Sequence, residues 1–470
     1  SVEFMTRSFP EWFHPRLRFF TGREHLLPID NHGLLGLIAP RYCLISSAYN
    51  DDCESALAVE ASYMAAKSVY EFMNKEEALR IRWRPGEHDT NATDIHSYID
   101  WCDYAFGRGQ YDFSTDAIVH FDWNDWQRNI PKQELKDAFT FSAKGNIHGE
   151  EKRRRILWFL GDAPPKGINS VKLVSGRKEK RDEYFIEPDE HRHRQSRQPD
   201  NVRRLPIRFS ENISGSVFYN AALRKPTKAV IWLHPYSYAQ GYTGYYLRGD
   251  RVYHYLAANG FLVMAFDQMG FGYRLLEGQD FYRRYPRWSR LGKMVRDVSG
   301  AVDYLLSGQD GCGEEILSLV DKDHIYCLGY ALGGLVALYA GALDTRIAGV
   351  ASFCGFTPMR ADTDEKYTGG IRRLWELHSL LPRLGLFDGR EAELPYDYED
   401  VLSLIAPRPT LIVSAEGDRG ADITDIKKCI DKVKDEWLGR PNGLTHVELQ
   451  DYNRFQQEQN EVLVDWLKRL

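Results

Sequence analysis

One segment of the chain occurs twice, and that repeat limits the fold more than any other feature. Leu37-Ile38-Ala39-Pro40-Arg41 matches Leu404-Ile405-Ala406-Pro407-Arg408, Leu44-Ile45 matches Leu411-Ile412, and Asp51 falls on Asp418, all at one spacing without a gap. Agreement over such a run means two related domains, and 470 residues leave room for both. In the first copy a β-rich run from Arg41 to Ala48 is followed by Asp51, a helical stretch from Ala56 to Phe72, a strand from Leu79 to Trp83, and Gly86-Glu87-His88. Strand, acid, helix, strand, histidine puts Asp51 and His88 at the ends of successive strands.

An alternating pattern fills 206–470. Ile207-Arg208-Phe209 and Ser216-Val217-Phe218-Tyr219 alternate as a hairpin does, and buried strands follow at Ala229–Leu233, Phe261–Asp267, Ile347–Cys354 and from Thr410, with helical stretches between. Such a series predicts an α/β fold with a mainly parallel, doubly wound sheet. The run from His324 enters Gly329-Tyr330-Ala331-Leu332-Gly333-Gly334 and then a helix of small residues. Glycines flanking a strained strand-to-helix turn are what the Gly-x-Ser-x-Gly elbow of an α/β-hydrolase requires. Here the central residue is Ala331, whose methyl group cannot attack a carbonyl. The loop His234-Pro235-Tyr236-Ser237 sits where that fold supplies an oxyanion-hole N–H. Pro235 has no N–H, so Tyr236 and Leu332 are the candidate donors.

The repeat also tests this second site. Carried to the second copy, the position of His88 falls on Phe455; Asn453 lies closest, and an amide has no useful basicity near neutral pH. His446, in the strand before that turn, is a displaced alternative. The triad positions of the second domain are then Ala331, Asp418 and Asn453, two of them without their chemistry. A double loss reads as natural degeneracy, since an engineered inactivation normally changes one residue.

The expected organisation is two α/β-hydrolase-like domains, the first only partly present. Residues 1–110 form its C-terminal portion, 111–205 a connecting region, and 206–470 the second domain. In the connecting region, 177–204 mixes charges of both signs and reads as a solvated loop; 357–395 reads as a lid-like insertion. A net charge of −6 gives no reason to expect nucleic acid, and no apolar run is long enough for a membrane span. Seven scattered cysteines, without CxxC or Cys/His spacing, suggest no metal site, and Cys327 and Cys354 read as buried thiols. No cofactor is expected.

Leu27-Pro28-Ile29-Asp30-Asn31-His32, Leu37-Ile38-Ala39-Pro40-Arg41, the Asn50-Asp51 turn and Gly86-Glu87-His88 together resemble the C-terminal part of glucuronoyl esterases and related carbohydrate esterases. Trp12-Phe13 fits the segment before them. The resemblance implies a metal-independent serine esterase acting on esters of plant-wall glucuronoxylan, often outside the cytoplasm, with His88 as catalytic base and Asp51 as the acid candidate. Asp52 stands where fungal members carry a substrate-contacting Trp. A further carboxylate there repels a uronate, so uronate and acetyl esters both remain open. The second domain resembles dienelactone hydrolases and acetyl-xylan esterases.

Three functions follow. The first is a multidomain carbohydrate esterase whose serine comes from residues N-terminal to Ser1 or from a second chain, with the second domain as scaffold or glycan binder. In that case Trp232, Tyr236, Tyr238, Tyr242, Tyr245 and Tyr246 could stack on sugar, although core packing suits most of them. The second is a binding or assembly protein built from two hydrolase folds. The third is an esterase in the second domain with serine replaced by Ala331.

Overall fold

The computed structural model describes residues 2, 5–6, 9–21, 23–51, 54–111, 117–132, 136, 148–165, 198–243, 250–307 and 314–470. The charge-dense stretch 177–204 lies outside them up to residue 197. Among the described residues no helix is long and apolar enough to cross a membrane. The chain forms two compact units, Ser1–His120 and Phe121–Leu470.

In the first unit β1 (Cys43–Ala48) and β2 (Leu79–Arg84) pair in parallel, Cys43 opposite Leu79 and Ala48 opposite Arg84. The helix Ala56–Phe72 joins them and buries Ala56, Glu60, Tyr63, Ala66 and Tyr70, spaced three or four apart as one helical face demands. Glu60 sits in that face as an anchor. Its carboxylate accepts the indole N–H of Trp83 and the backbone N–H groups of Ile118, Val119 and His120, which ties residues 118–120 to this unit. The helix Ala92–Ala105 starts with a capping box between Asn91 and Asp94, and Asp94 also pairs with Arg82 at 3.2 Å.

Among the described residues the second unit is built on eight strands: β3 (Val202–Phe209), β4 (Ile213–Asn220), β5 (Thr227–Leu233), β6 (Leu262–Phe266), β7 (Val320–Tyr330), β8 (Gly349–Phe353), β9 (Thr410–Ala415) and β10 (Leu444–Leu449). They lie in the order β10-β9-β8-β7-β5-β6-β4-β3, and only β4 runs against its neighbours. Apolar side chains cover both faces of the central strands, as a sheet with helices on both sides requires. The helix Gly149–Leu160, within the expected connecting region, packs here: Ile156, Phe159 and Leu160 join this unit's core.

The sequence repeat is also a structural one. β1 and β9 occupy matching positions in the two copies. Asp30 caps the helix Asn31–Gly36 through the N–H of Asn31 at 2.7 Å, as Asp397 caps Tyr398–Ile405 through that of Tyr398 at 2.7 Å. Arg41 donates from Nε to the carbonyl of Ile38, and Arg408 does the same to Ile405, both at 3.1 Å. The copies differ in what surrounds them. β9 is flanked by β8 and β10, whereas among the described residues β1 pairs only with β2.

Candidate active sites

In the first unit the ends of β1 and β2 bring Asp51 and His88 together. The ladder continues past the strands through Tyr49 N–H to Arg84 O (2.9 Å) and Asn50 N–H to Gly86 O (3.1 Å), fixing both turns. Gly86 has φ +102°, a conformation side-chain-bearing residues avoid, and it turns the chain toward His88. His88 Nδ1 lies 2.8 Å from Asp51 Oδ2, with the aspartate side chain 5% exposed and the imidazole 62% exposed. A buried carboxylate on Nδ1 holds that nitrogen protonated and leaves Nε2 as the basic atom. Such a pair can take a proton from a nucleophile, but it carries none itself. Asp52, weighed above against a uronate, lies outside the described residues.

In the second unit the elbow keeps its shape. Ala331 adopts φ 48°, ψ −111° between β7 and the helix Leu332–Leu343, a strained conformation for a residue with a Cβ. The glycines around it are sterically required: a Cβ on Gly329 would lie 2.1 Å from the carbonyl carbon of Gly333, and one on Gly333 would lie 2.0 Å from the oxygen of Leu233. The Ala331 N–H donates to Phe353 O at 2.8 Å, locking the turn to β8. The pocket beside Ala331 is also lined by Tyr236, Cys354, Thr357, Arg373 and Asp418.

Asp418 and Asn453 meet as the repeat anticipates. Asn453 Nδ2 donates to Asp418 Oδ2 at 2.8 Å, and the Gly420 N–H donates to Oδ1 at 2.9 Å. Burial raises the Asp418 pKa. An amide thus occupies the place where a histidine would be oriented by this acid. The alternative, His446, instead contacts Ser414 Oγ at 3.2 Å and does not line the pocket. Neither Tyr236 nor Leu332 donates its backbone N–H to an acceptor among the described residues. A methyl group at Ala331 and an amide at Asn453 are thus the side chains at two of the positions expected to form a triad.

Of the aromatic residues considered for sugar stacking, Trp232, Tyr238 and Tyr242 are occupied elsewhere. Trp232 is buried against Phe455, Tyr242 is buried with its hydroxyl 3.1 Å from Ser216 Oγ, and the Tyr238 hydroxyl meets His378 Nδ1 at 2.8 Å. Tyr245 and Tyr246 lie outside the described residues. Tyr236 does reach the pocket, with His378 stacked on one side at 4.0 Å and the Arg373 guanidinium 4.7 Å from its ring centroid. Sequence reasoning did not single out Arg373, Thr357 or His378. All three lie in the insertion after β8, which has no periodic pattern to mark inward-facing positions.

A sheet of this order, with β4 alone reversed and a strained elbow after β7, defines the α/β-hydrolase fold. The chain is similar to two families of proteins: the family model of serine aminopeptidase S33 matches residues 225–413, and that of fungal glucuronyl esterase matches residues 3–74. Among curated relatives, carbohydrate esterase MZ0003, from an unknown prokaryotic organism, is 31% identical over 124 residues, 23% of this chain and 29% of that protein. YtaP of Bacillus subtilis (strain 168) is 24% identical over 282 residues, covering 57% of this chain and 81% of that one. The chain therefore spans less than a third of the first relative and most of the second. Among solved structures, a glucuronoyl esterase from Solibacter usitatus aligns at 17% identity and a TM-score of 0.43, over 55% of this chain and 77% of its own.

Proposed function

We propose that the chain is part of a carbohydrate esterase in which His88 and Asp51 serve as general base and orienting acid for a serine held outside residues 1–470. The observation that carries this is the 2.8 Å contact from a buried Asp51 to an open His88 at neighbouring strand ends. The fungal glucuronyl esterase match at 3–74 covers Asp51, and carbohydrate esterase MZ0003 is a relative in name and sequence. Acetyl and uronate esters of plant-wall polysaccharide are the substrates we assign.

The repeat supports an external complement for the first unit. Val401, on the helix beside β9, is 0% exposed, while its counterpart Leu34 in the first copy is 54% exposed. Arg408 donates further to the carbonyls of Ile347 (2.7 Å) and Gly341 (2.5 Å), groups of the central hydrolase core; Arg41 has no such bonds among the described residues. The first unit thus offers the surface that in the second is covered by β8 and the elbow helix. The second domain we read as a degenerate hydrolase acting as scaffold or binder.

The test compares this chain with the full-length product of its gene on acetylated and methyl-glucuronate xylo-oligosaccharides. Turnover by the full product that His88→Ala reduces by about a hundredfold or more supports the proposal. Turnover that survives His88→Ala, or none from the full product, leaves the binding or assembly role in its place.

A further inference from the structure

We propose that the pocket beside Ala331 binds the carboxylate head of a small organic acid and holds it without turnover. This rests on the reading of the second domain as non-hydrolytic and adds to it a ligand class.

Tyr236, Thr357 and Arg373 line the pocket, and Ala331, also in its lining, precedes the elbow helix. Leu332 opens a twelve-residue helix, so its N–H lies at the positive end of the helix dipole. The Tyr236 N–H comes from the loop after β5. Neither donor is engaged among the described residues. Arg373 lines the pocket and has no carboxylate within 4.0 Å among the described residues; its guanidinium rests over the Tyr236 ring. Thr357 is 3% exposed, and its Oγ1 has no hydrogen-bond partner among the described residues. A buried hydroxyl without a partner is costly, and a ligand oxygen or its bound proton would relieve that cost.

The opposing charge is Asp418. Both its oxygens are already engaged, by Gly420 N–H and Asn453 Nδ2. Cys354 adds no negative charge, because burial pushes its thiol up to about 12. Arg373 therefore faces the pocket as a planar, permanently charged donor, the geometry that suits a carboxylate. The pocket, partly open to solvent, has a volume of about 30 Å³, room for about two water-sized groups. That admits a carboxylate head and leaves the rest of an acid to point outward.

The experiment is a calorimetric or saturation-transfer titration of the whole chain with acetate and with neutral acetamide, at fixed ionic strength. Acetate should bind at least about tenfold more tightly than acetamide. Arg373→Gln should remove that preference, and Thr357→Val, which keeps the shape and deletes the hydroxyl, should weaken acetate several-fold. Equal affinity for the two probes, no acetate binding, or acetate binding unchanged in both variants overturns the proposal. If Arg373→Gln fails to fold by circular dichroism, Thr357→Val decides alone. Release of p-nitrophenol from p-nitrophenyl acetate is followed in the same samples. Turnover lost in either variant refutes the non-hydrolytic reading, whereas no turnover and no acetate binding refutes the ligand alone.

Discussion

At residue 331 the elbow holds an alanine in a strained conformation. An alanine held at φ 48° costs conformational energy, and the surrounding glycines persist only because backbone meets backbone there. Ala331→Ser alone should leave p-nitrophenyl acetate hydrolysis at background, since Asn453 offers no base. Ala331→Ser with Asn453→His should raise it by at least about tenfold, because Asp418 is already placed to orient the imidazole; an equal gain from the single variant would show that another base serves the site. His234 makes a second prediction. It is buried, with Nδ1 2.6 Å from Pro235 O and Nε2 accepting the Gln268 N–H at 2.9 Å. Burial lowers its pKa to about 4. The unfolded chain, with an ordinary histidine, binds the proton first as pH falls, so the folded state loses stability between about pH 6.5 and 4. The loss is on the order of 3 kcal/mol, and His234→Gln should flatten that part of the pH–stability curve in urea unfolding.

At the scale of elements, the two copies of one segment act as internal controls for each other. Arg408 stitches the turn before β9 to the core through the carbonyls of Leu404, Ile405, Gly341, Asp344 and Ile347. Arg408→Ala removes the donor and leaves those acceptors behind, which should cost about 2–4 kcal/mol of second-unit stability. Among the described residues Arg41 donates only to Leu37 and Ile38, near the surface, so Arg41→Ala should stay within about 0.5 kcal/mol of the parent for residues 1–470. Denaturant titration of the two variants separates the cases; equal losses would mean that the copies are packed alike.

At the scale of the whole molecule, the two units differ in the sheets that the described residues form. Among the described residues, 121–470 carry an eight-stranded sheet with helices on both faces and should unfold cooperatively when produced alone. Residues 1–120 hold a two-stranded parallel sheet and expose Phe19, Leu37 and Phe72, so alone they should show no sharp thermal transition. Scanning calorimetry of the two pieces checks both statements. Much of this was legible in the sequence: the repeat, the strand ends carrying Asp51 and His88, the elbow at Ala331, and Asn453 beside Asp418. Each depends on local periodicity, turn chemistry, or the matching of one segment to its copy, all of which act over a few residues. Only the tertiary structure brought Arg373 and Thr357 to the Ala331 pocket, turned Trp232 and Tyr242 inward, and joined 149–160 to the second unit. Those placements come from packing between residues far apart in the chain, in segments whose own patterns do not say which side faces in.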